Sequence, residues 1–427
     1  MKITKITPIV SMPIKGLPWL FVKIDTDEGY FGIGECTDYY VNGHLVRGIN
    51  AIESMLLGMD ATNIENIWQT IFHRYDDLNG RGYVSHLISA IDIALWDIKG
   101  KVLNTPIYNL LGGAVRDRVP LYTHVQDLNS DAGGLDALTK AAEITKDAGF
   151  DAIKTDPFPT LCITHESGFE CLTENKKKDA GVTSAIGCSN SSEFSGPSEV
   201  ERLTPRTIRE SVEWMEVLRS TVGEDYELMV DAHARFDVAS AINAGKGLEK
   251  INLVWLEEPI HVENHNALQQ VKENTNIPLC VGERHFTRWD YTEILNKRLV
   301  EYIMPDVAWC GGISELRRIA AQAEVQYIRI SPHDALGPIS IAAGFQVCMT
   351  TPNLYRQECL HTWFKTFEKI ISPMFEIQNG AILPNNLPGL GINLIMDEVK
   401  KFEVNPDTEE YLNISSNDVN STNQWIQ

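Results

Sequence analysis

Three acidic residues, each closing a short apolar run, constrain this chain more than any other feature. Asp231 ends Glu227-Leu-Met-Val-Asp231, Glu257 ends Leu253-Val-Trp-Leu-Glu257, and Glu283 ends Leu279-Cys-Val-Gly-Glu283. The intervals from 231 to 257 and from 257 to 283 are both 26 residues. A strand, a loop, a helix and a return loop take about that many residues. Equal spacing therefore predicts three carboxylates at the C-terminal ends of three successive parallel strands. Any one of them alone reads as a solvated loop residue or a helix cap. Three in register repel one another unless a cation neutralises them. A donor set of hard oxygens without sulfur or imidazole suits one Mg²⁺ per subunit, with Mn²⁺ the alternative.

The 427 residues suit a barrel of ordinary size with a second domain beside it. A formal net charge of −21 argues against nucleic acid and anionic membranes as partners. It makes an anionic substrate surprising unless a metal and basic side chains invert the local field. No stretch has the length of a membrane span, and no signal-peptide core follows Met1, so a cytoplasmic protein is expected. The eight cysteines show no zinc-type spacing and are expected to be reduced, with Cys162, Cys171 and Cys188 clustered in one loop.

Residues 1–36 read as strands, with Thr26-Asp-Glu-Gly29 as a hairpin turn. Pro13–Pro18 and Cys36–His44 read as loops. Helical patterns follow at His44–Met59, Asn63–Asp77 and Val84–Leu103, so 1–115 is expected to be an N-terminal α+β domain. From Val119 the pattern alternates. Apolar runs at 119–123, 150–154, 227–231, 252–256, 278–282, 301–305, 327–331 and 353–357 enclose helical stretches at 134–148, 204–222, 237–249, 264–274, 288–297, 312–326 and 338–349. Eight strands and seven helices predict an α/β fold: a (β/α)7β TIM-type barrel over 116–385, capped by the N-terminal domain. An open doubly wound sheet is the competing topology, but no Gly-rich dinucleotide turn supports it. Residues 157–201 form a long polar insertion, expected to be a lid or an interface arm. Residues 386–427 are expected to return to the capping domain.

The predicted strand ends then offer a set of reactive groups. A metal on Asp231, Glu257 and Glu283 can hold a substrate carboxylate and draw charge from its α-carbon. His333 is a fit general base if Asp306 fixes its tautomer. His233 can protonate a departing β-hydroxyl, Lys154 can contact the substrate carboxylate, and Glu358 can bond the enolate side. Arg284, Asp156 and His361 are assigned to substrate contact. Either histidine alone would more often be structural. Proton loss from one carbon and hydroxide loss from the next amount to dehydration of a hydroxy acid.

The chain resembles the enolase superfamily, mandelate racemase subgroup, and most closely the D-galactonate dehydratase-like sugar acid dehydratases. The similarity covers nearly everything except 157–201. It lies in Ser89-Ala-Ile-Asp-Ile-Ala-Leu-Trp-Asp-Ile-Lys-Gly100, Val230-Asp-Ala-His, Leu256-Glu-Glu-Pro, Gly282-Glu-Arg, Cys310-Gly-Gly-Ile and Pro332-His-Asp-Ala-Leu-Gly-Pro338. The resemblance implies Asp231, Glu257 and Glu283 as Mg²⁺ ligands, His333 with Asp306 as base, and His233 as acid. It also implies that loops around Pro13–Trp19 and Cys36–His44 choose the substrate. The racemases carry a second lysine two residues after the Lys154 position, where this chain has Asp156, so a two-base racemisation is disfavoured. The function expected is Mg²⁺-dependent dehydration of an aldonate or aldarate to a 2-keto-3-deoxy acid. A cycloisomerase or epimerase working through the same enolate is the alternative enzyme, and a binding protein that keeps the fold is the non-enzymatic one. The partner expected is a small sugar acid, and the chain is expected to be a homo-oligomer.

Overall fold

The computed structural model describes residues 1–39, 41–75, 77, 80–125, 135–158 and 203–408. The insertion at 157–201 lies almost wholly outside these residues, as do Cys162, Cys171 and Cys188. The chain divides into two compact units. Among the described residues, one comprises Met1–Leu121, Gly282–Arg298 and 303–408, and the other Tyr122–Val281 with Leu299–Tyr302.

In the first unit, β1 (Ile3–Ile14), β2 (Leu17–Thr26) and β3 (Phe31–Glu35) form an antiparallel sheet in that order. Thr26–Gly29 is the expected hairpin, with Gly29 at φ 82° donating to the Thr26 carbonyl at 3.2 Å. Pro13–Pro18, expected to be a loop, is strand–turn–strand instead. The register shifts between Ser11 and Ile14, and Ile14 pairs with Leu17 across the tight turn at Lys15-Gly16. The prolines are tolerated because a bulge frees the ladder bonds they cannot make. Helices Asn42–Leu56, Ile64–Arg74 and Tyr83–Val102 follow. The last is apolar nearly all round and lies against β3. It can approach because β3 carries Gly32 and Gly34, where a Cβ would strike the carbonyls of Ala94 and Ala90. Ile24, Ile49, Trp68, Leu87 and Ile91 are buried in the shared core.

The returning segment bonds to this N-terminal sheet and helix. Val404 donates to the Val10 carbonyl at 3.0 Å, Met12 to Phe402 at 2.8 Å, and Leu390 to the Asp97 carboxylate at 3.0 Å.

From Val119 the alternation appears as expected. The strands are β4 (Val119–His124), β5 (Ala152–Thr155), β6 (Glu227–Asp231), β7 (Trp255–Glu257), β8 (Leu279–Val281), β9 (Tyr302–Ile303), β10 (Arg329–Ile330) and β11 (Gln357–Cys359). They neighbour one another in sequence order from β4 to β10, and β11 pairs with β4, so the order returns on itself. β11 starts four residues later than the expected run at 353. Tyr355 donates to the Ile330 carbonyl at 2.8 Å and Glu358 to that of Pro332 at 3.1 Å. Three of the helices begin at a capping side chain. Thr204 accepts from Thr207 at 3.1 Å, Asp237 from Ser240 at 2.6 Å, and Asn264 from Ala267 at 3.0 Å. Among the described residues no helix is long and apolar enough to cross a membrane.

Candidate active site

The equal 26-residue spacing turns out to set register for one pair only. Asp231 is the last residue of β6 and pairs directly with Glu257, the last of β7. Glu257 pairs next with Cys280, so Glu283 stands three residues beyond that register. Gly282, at φ 152°, turns the chain there, and a Cβ would press on the Met304 backbone. Even so, Asp231, Glu257 and Glu283 each offer one carboxylate oxygen, and these oxygens all lie within 4.8 Å of one another.

The strand-end residues of β5 and β6 surround the first two carboxylates. Lys154, on β5, is buried, with its Nζ 2.7 Å from Glu257 Oε1 and 3.6 Å from Asp231 Oδ2. The indole N–H of Trp255 donates to Glu257 Oε2 at 3.0 Å. His233 and Ala234 take left-handed backbone, at φ 51° and 60°. That turn lets the His233 N–H donate to Asp231 Oδ1 at 2.7 Å and places Nε2 3.2 Å from Asp231 Oδ2. Strained backbone of this kind gathers where a side chain must be aimed. His233 Nδ1 lies 3.0 Å from Asp156 Oδ2. The same oxygen accepts from Arg235 at 2.7 Å. Arg235 belongs to no motif that sequence reasoning singles out. Its position two residues past His233, on the same turn, is the available signal.

The groups around Glu283 form the second half of the picture. His333 and Asp306 each stand three residues beyond their strands, on loops. His333 Nδ1 lies 2.6 Å from Asp306 Oδ2, its Nε2 3.2 Å from Glu283 Oε2 and 3.8 Å from Glu358 Oε2. Asp306 Oδ1 accepts from the Ala308 N–H at 2.7 Å. Burial pushes the Asp306 carboxyl above the ordinary range, and the bond and charge of His333 draw it part of the way back. Glu358 is fully buried on β11, where its Oε2 accepts from the Asp334 N–H at 2.9 Å. Arg284 is ion-paired with Glu283. His361 opens the short turn His361–Trp363.

Glu35, at the end of β3, also escapes sequence reasoning. It is fully buried and accepts from Gly337 N–H at 2.7 Å, Ser340 N–H at 2.9 Å and the Thr37 hydroxyl at 2.7 Å. It thereby clamps the loop that follows His333 to the first turn of helix Pro338–Cys348. Burial pushes its carboxyl up to about 7 against those three bonds. Asp334 is pushed well above the usual range by burial and by the neighbouring Asp306, Glu35 and Glu358.

Three buried carboxylates this close require a positive charge. Their oxygen-only chemistry fits a hard divalent cation. They form the one group of its kind among the described residues.

Known proteins give this geometry a family. Residues 9–112 match the mandelate racemase / muconate lactonizing enzyme N-terminal domain, and residues 136–398 match the enolase C-terminal domain-like family. A D-galactonate dehydratase family member of Streptomyces bingchenggensis is 30% identical over 99% of this chain and 98% of its own. A D-mannonate dehydratase of Caulobacter vibrioides is 29% identical over 94% of each. Among solved structures, a member of the enolase superfamily from Salmonella Typhimurium superposes with a TM-score of 0.81 at 28% identity, covering 94% of this chain and 98% of that one. The 3,6-anhydro-D-galactonate cycloisomerase of Zobellia galactanivorans gives 0.77 at 25% identity, covering 95% and 100%. The chain belongs to the enolase superfamily, as a mandelate racemase / muconate lactonizing enzyme-type protein with an N-terminal capping domain and a (β/α)7β barrel.

Proposed function

We propose that this protein is a Mg²⁺-dependent sugar acid dehydratase, converting an aldonate or aldarate to a 2-keto-3-deoxy acid. The observation that carries the reading is His333. A buried carboxylate takes its Nδ1 at 2.6 Å, which leaves Nε2 as the nitrogen that can accept a proton. His333 Nε2 takes the α-proton, and the electron pair of that C–H bond passes into the substrate carboxyl group as an enolate, from which it then returns to form the double bond between Cα and Cβ. The β C–O bond breaks with its own electron pair, and His233 supplies the proton with which the hydroxyl leaves as water. The resulting enol tautomerises to the 2-keto acid. Lys154 and Glu358 bond the carboxylate and enolate oxygens. Asp231, Glu257 and Glu283 would hold the cation, whose charge offsets the negative charge developing on the substrate as its α-proton leaves.

Two further observations support elimination over racemisation. Asp156 stands where a second base would be needed, and Arg235 and His233 already engage it. One relative is named a D-galactonate dehydratase family member and another a D-mannonate dehydratase. The structural neighbour named as a cycloisomerase keeps that second reaction in view. The test is a panel of aldonates and aldarates incubated with Mg²⁺-loaded protein and scored for α-keto acid. Keto acid from at least one member is expected. An isomer formed without keto acid would replace dehydration with cycloisomerisation or epimerisation.

A further inference from the structure

One hydrogen bond cannot hold an imidazole still. The torsion that turns a histidine ring about its Cβ–Cγ bond has broad minima. Asp306 fixes which nitrogen carries the proton, yet His333 can still tilt about that bond. A flat surface against the ring is what removes this freedom.

The molecule supplies one. The indole of Trp309 lies on His333, with centroids 5.2 Å apart and planes 32° apart. The indole also stacks with His86, at 5.6 Å and 23°. His86 in turn meets Phe286 at 5.5 Å. Trp309 reaches this place because the chain turns sharply after Asp306, whose carbonyl accepts from Trp309 at 3.1 Å and Cys310 at 2.8 Å.

The indole is itself anchored. Its Nε1–H donates to the Thr37 carbonyl at 2.7 Å. Thr37 is fully buried and also donates its hydroxyl to Glu35. His86 is held by its Nδ1, 2.7 Å from the Gly82 carbonyl. A carbonyl only accepts, so that nitrogen carries the proton. Burial favours the neutral form of the ring, against the pull of Asp38 and Asp306. A flat ring held by that bond suits stacking against an indole.

We propose that Trp309 is a positioning residue for His333: its indole, stacked with His86 and tied to Thr37, sets the tilt at which the imidazole presents Nε2. The proposal rests on the reading of His333 as base, because small errors in the placement of a catalytic group are costly. It adds that segment 35–39 and helix Tyr83–Val102 govern the base through a ring stack rather than through contact with substrate.

The experiment uses full-length, Mg²⁺-loaded protein with ring-¹⁵N histidine, in which His333 is assigned by His333→Asn. The readout is the exchange of its Nδ1–H with water, measured by NMR, which needs no substrate. Trp309→Ala should speed that exchange by about five- to tenfold, the population shift that losing one aromatic pair allows. Trp309→Phe keeps a ring against His333 and should restore most of the protection. His86→Leu leaves the indole but removes that stacking, and should fall between the two. Wild-type exchange in both Trp309→Ala and His86→Leu would overturn the proposal. If Trp309→Ala does not fold, His86→Leu decides alone. On an acid that turns over, Trp309→Ala should lower kcat while KM stays within about twofold, since the lost interaction orients a group used in the transition state. Normal turnover by His333→Asn would sink the reading of His333 as base without touching the exchange result, so the two failures are distinguishable.

Discussion

Asp306–His333 and Asp156–His233 are the same pair of residue types in two settings. In the first, the side chains are 0% and 7% exposed, and the nitrogen–oxygen distance is 2.6 Å. In the second they are 23% and 45% exposed, and the distance is 3.0 Å. Water can replace any partner of the exposed pair, so its geometry is shared among Asp231, Asp156 and Arg235. The buried pair depends on few partners, each without substitute. Its ring has Asp306 at Nδ1, Glu283 3.2 Å from Nε2 and the Trp309 indole against it. This difference suits a base that must hold one tautomer and an acid that must exchange its proton with solvent after each turnover.

The largest expected effect removes what both pairs would act alongside. Chelation of the divalent ion should abolish activity, and Mg²⁺ should restore it. Three neighbouring carboxylates left with only Lys154 and Arg284 as counter-charges should also lower the melting temperature. A saturating ligand at about a hundred times its Kd contributes about 3 kcal/mol. Full turnover by metal-free protein in excess chelator would remove the basis of the site.

Next in size is the direct contrast of the two histidines. His333→Asn should reduce turnover by about two to four orders of magnitude. His233→Asn should also stop dehydration, because hydroxide is a poor leaving group without a proton. It should still exchange the substrate α-proton in D₂O, with configuration retained, because proton removal needs only His333 and the divalent ion. Loss of exchange in both variants would show that the two pairs do not divide the work.

The buried side also carries a pH signature. Glu35 is raised to about 7 by burial, so the folded protein holds a proton there that the unfolded chain releases. This contribution to stability is therefore fully present below the ordinary carboxylate value near 4.5, and it is lost as pH rises through about 7. A tenfold difference in proton affinity between the folded and unfolded chain corresponds to about 1.4 kcal/mol, so denaturant titrations should show a decline of about 3 kcal/mol across that window. Glu35→Gln should remove its own part of the decline, leaving the parts carried by the buried carboxyls of Asp92 and Asp334, which burial also raises. An equally steep decline in that variant would place the proton on another group.

Much of this architecture was legible in the chain because the strand and helix periods differ and three of the barrel helices start at a capping side chain, Thr204, Asp237 and Asn264. Runs at 119–123 and 227–231 became strands within a residue or two, and helix Pro205–Val222 begins where Thr204 and Pro205 announce it. Turn geometry was less legible. Spacing alone placed Glu283 level with Glu257, while a left-handed Gly282 carries it past the end of β8. Pro13–Pro18 reads as a loop by composition and is a hairpin held by a register shift. Least legible were contacts between distant positions. Gly337 donates to Glu35 across 302 positions, and no local pattern announces such a bond. The stack of His86, Trp309 and His333 is of the same kind.

The smallest expected effect tests the comparison most directly, through one substitution made on each side. Asp306→Asn keeps an oxygen that can accept from His333 Nδ1, but it removes the charge, and its amide can turn an N–H toward the ring instead. That choice of tautomer would occupy the nitrogen meant for the substrate. Nothing in the buried surroundings offers a replacement, so a loss of about two orders of magnitude in kcat is expected. Asp156→Asn removes a charge that Arg235 already shares and solvent partly screens. Ion pairs of that exposure contribute about 0–1 kcal/mol. His233 keeps its own backbone bond to Asp231 and its Nε2 contact there. The loss in kcat should therefore stay below about sixfold, the factor that 1 kcal/mol allows. Both variants should be assayed on the same acid, with Mg²⁺ saturating and secondary structure checked by circular dichroism. Equal losses would mean that burial does not separate the two pairs, and a larger loss for Asp156→Asn would move the tightly held tautomer to His233.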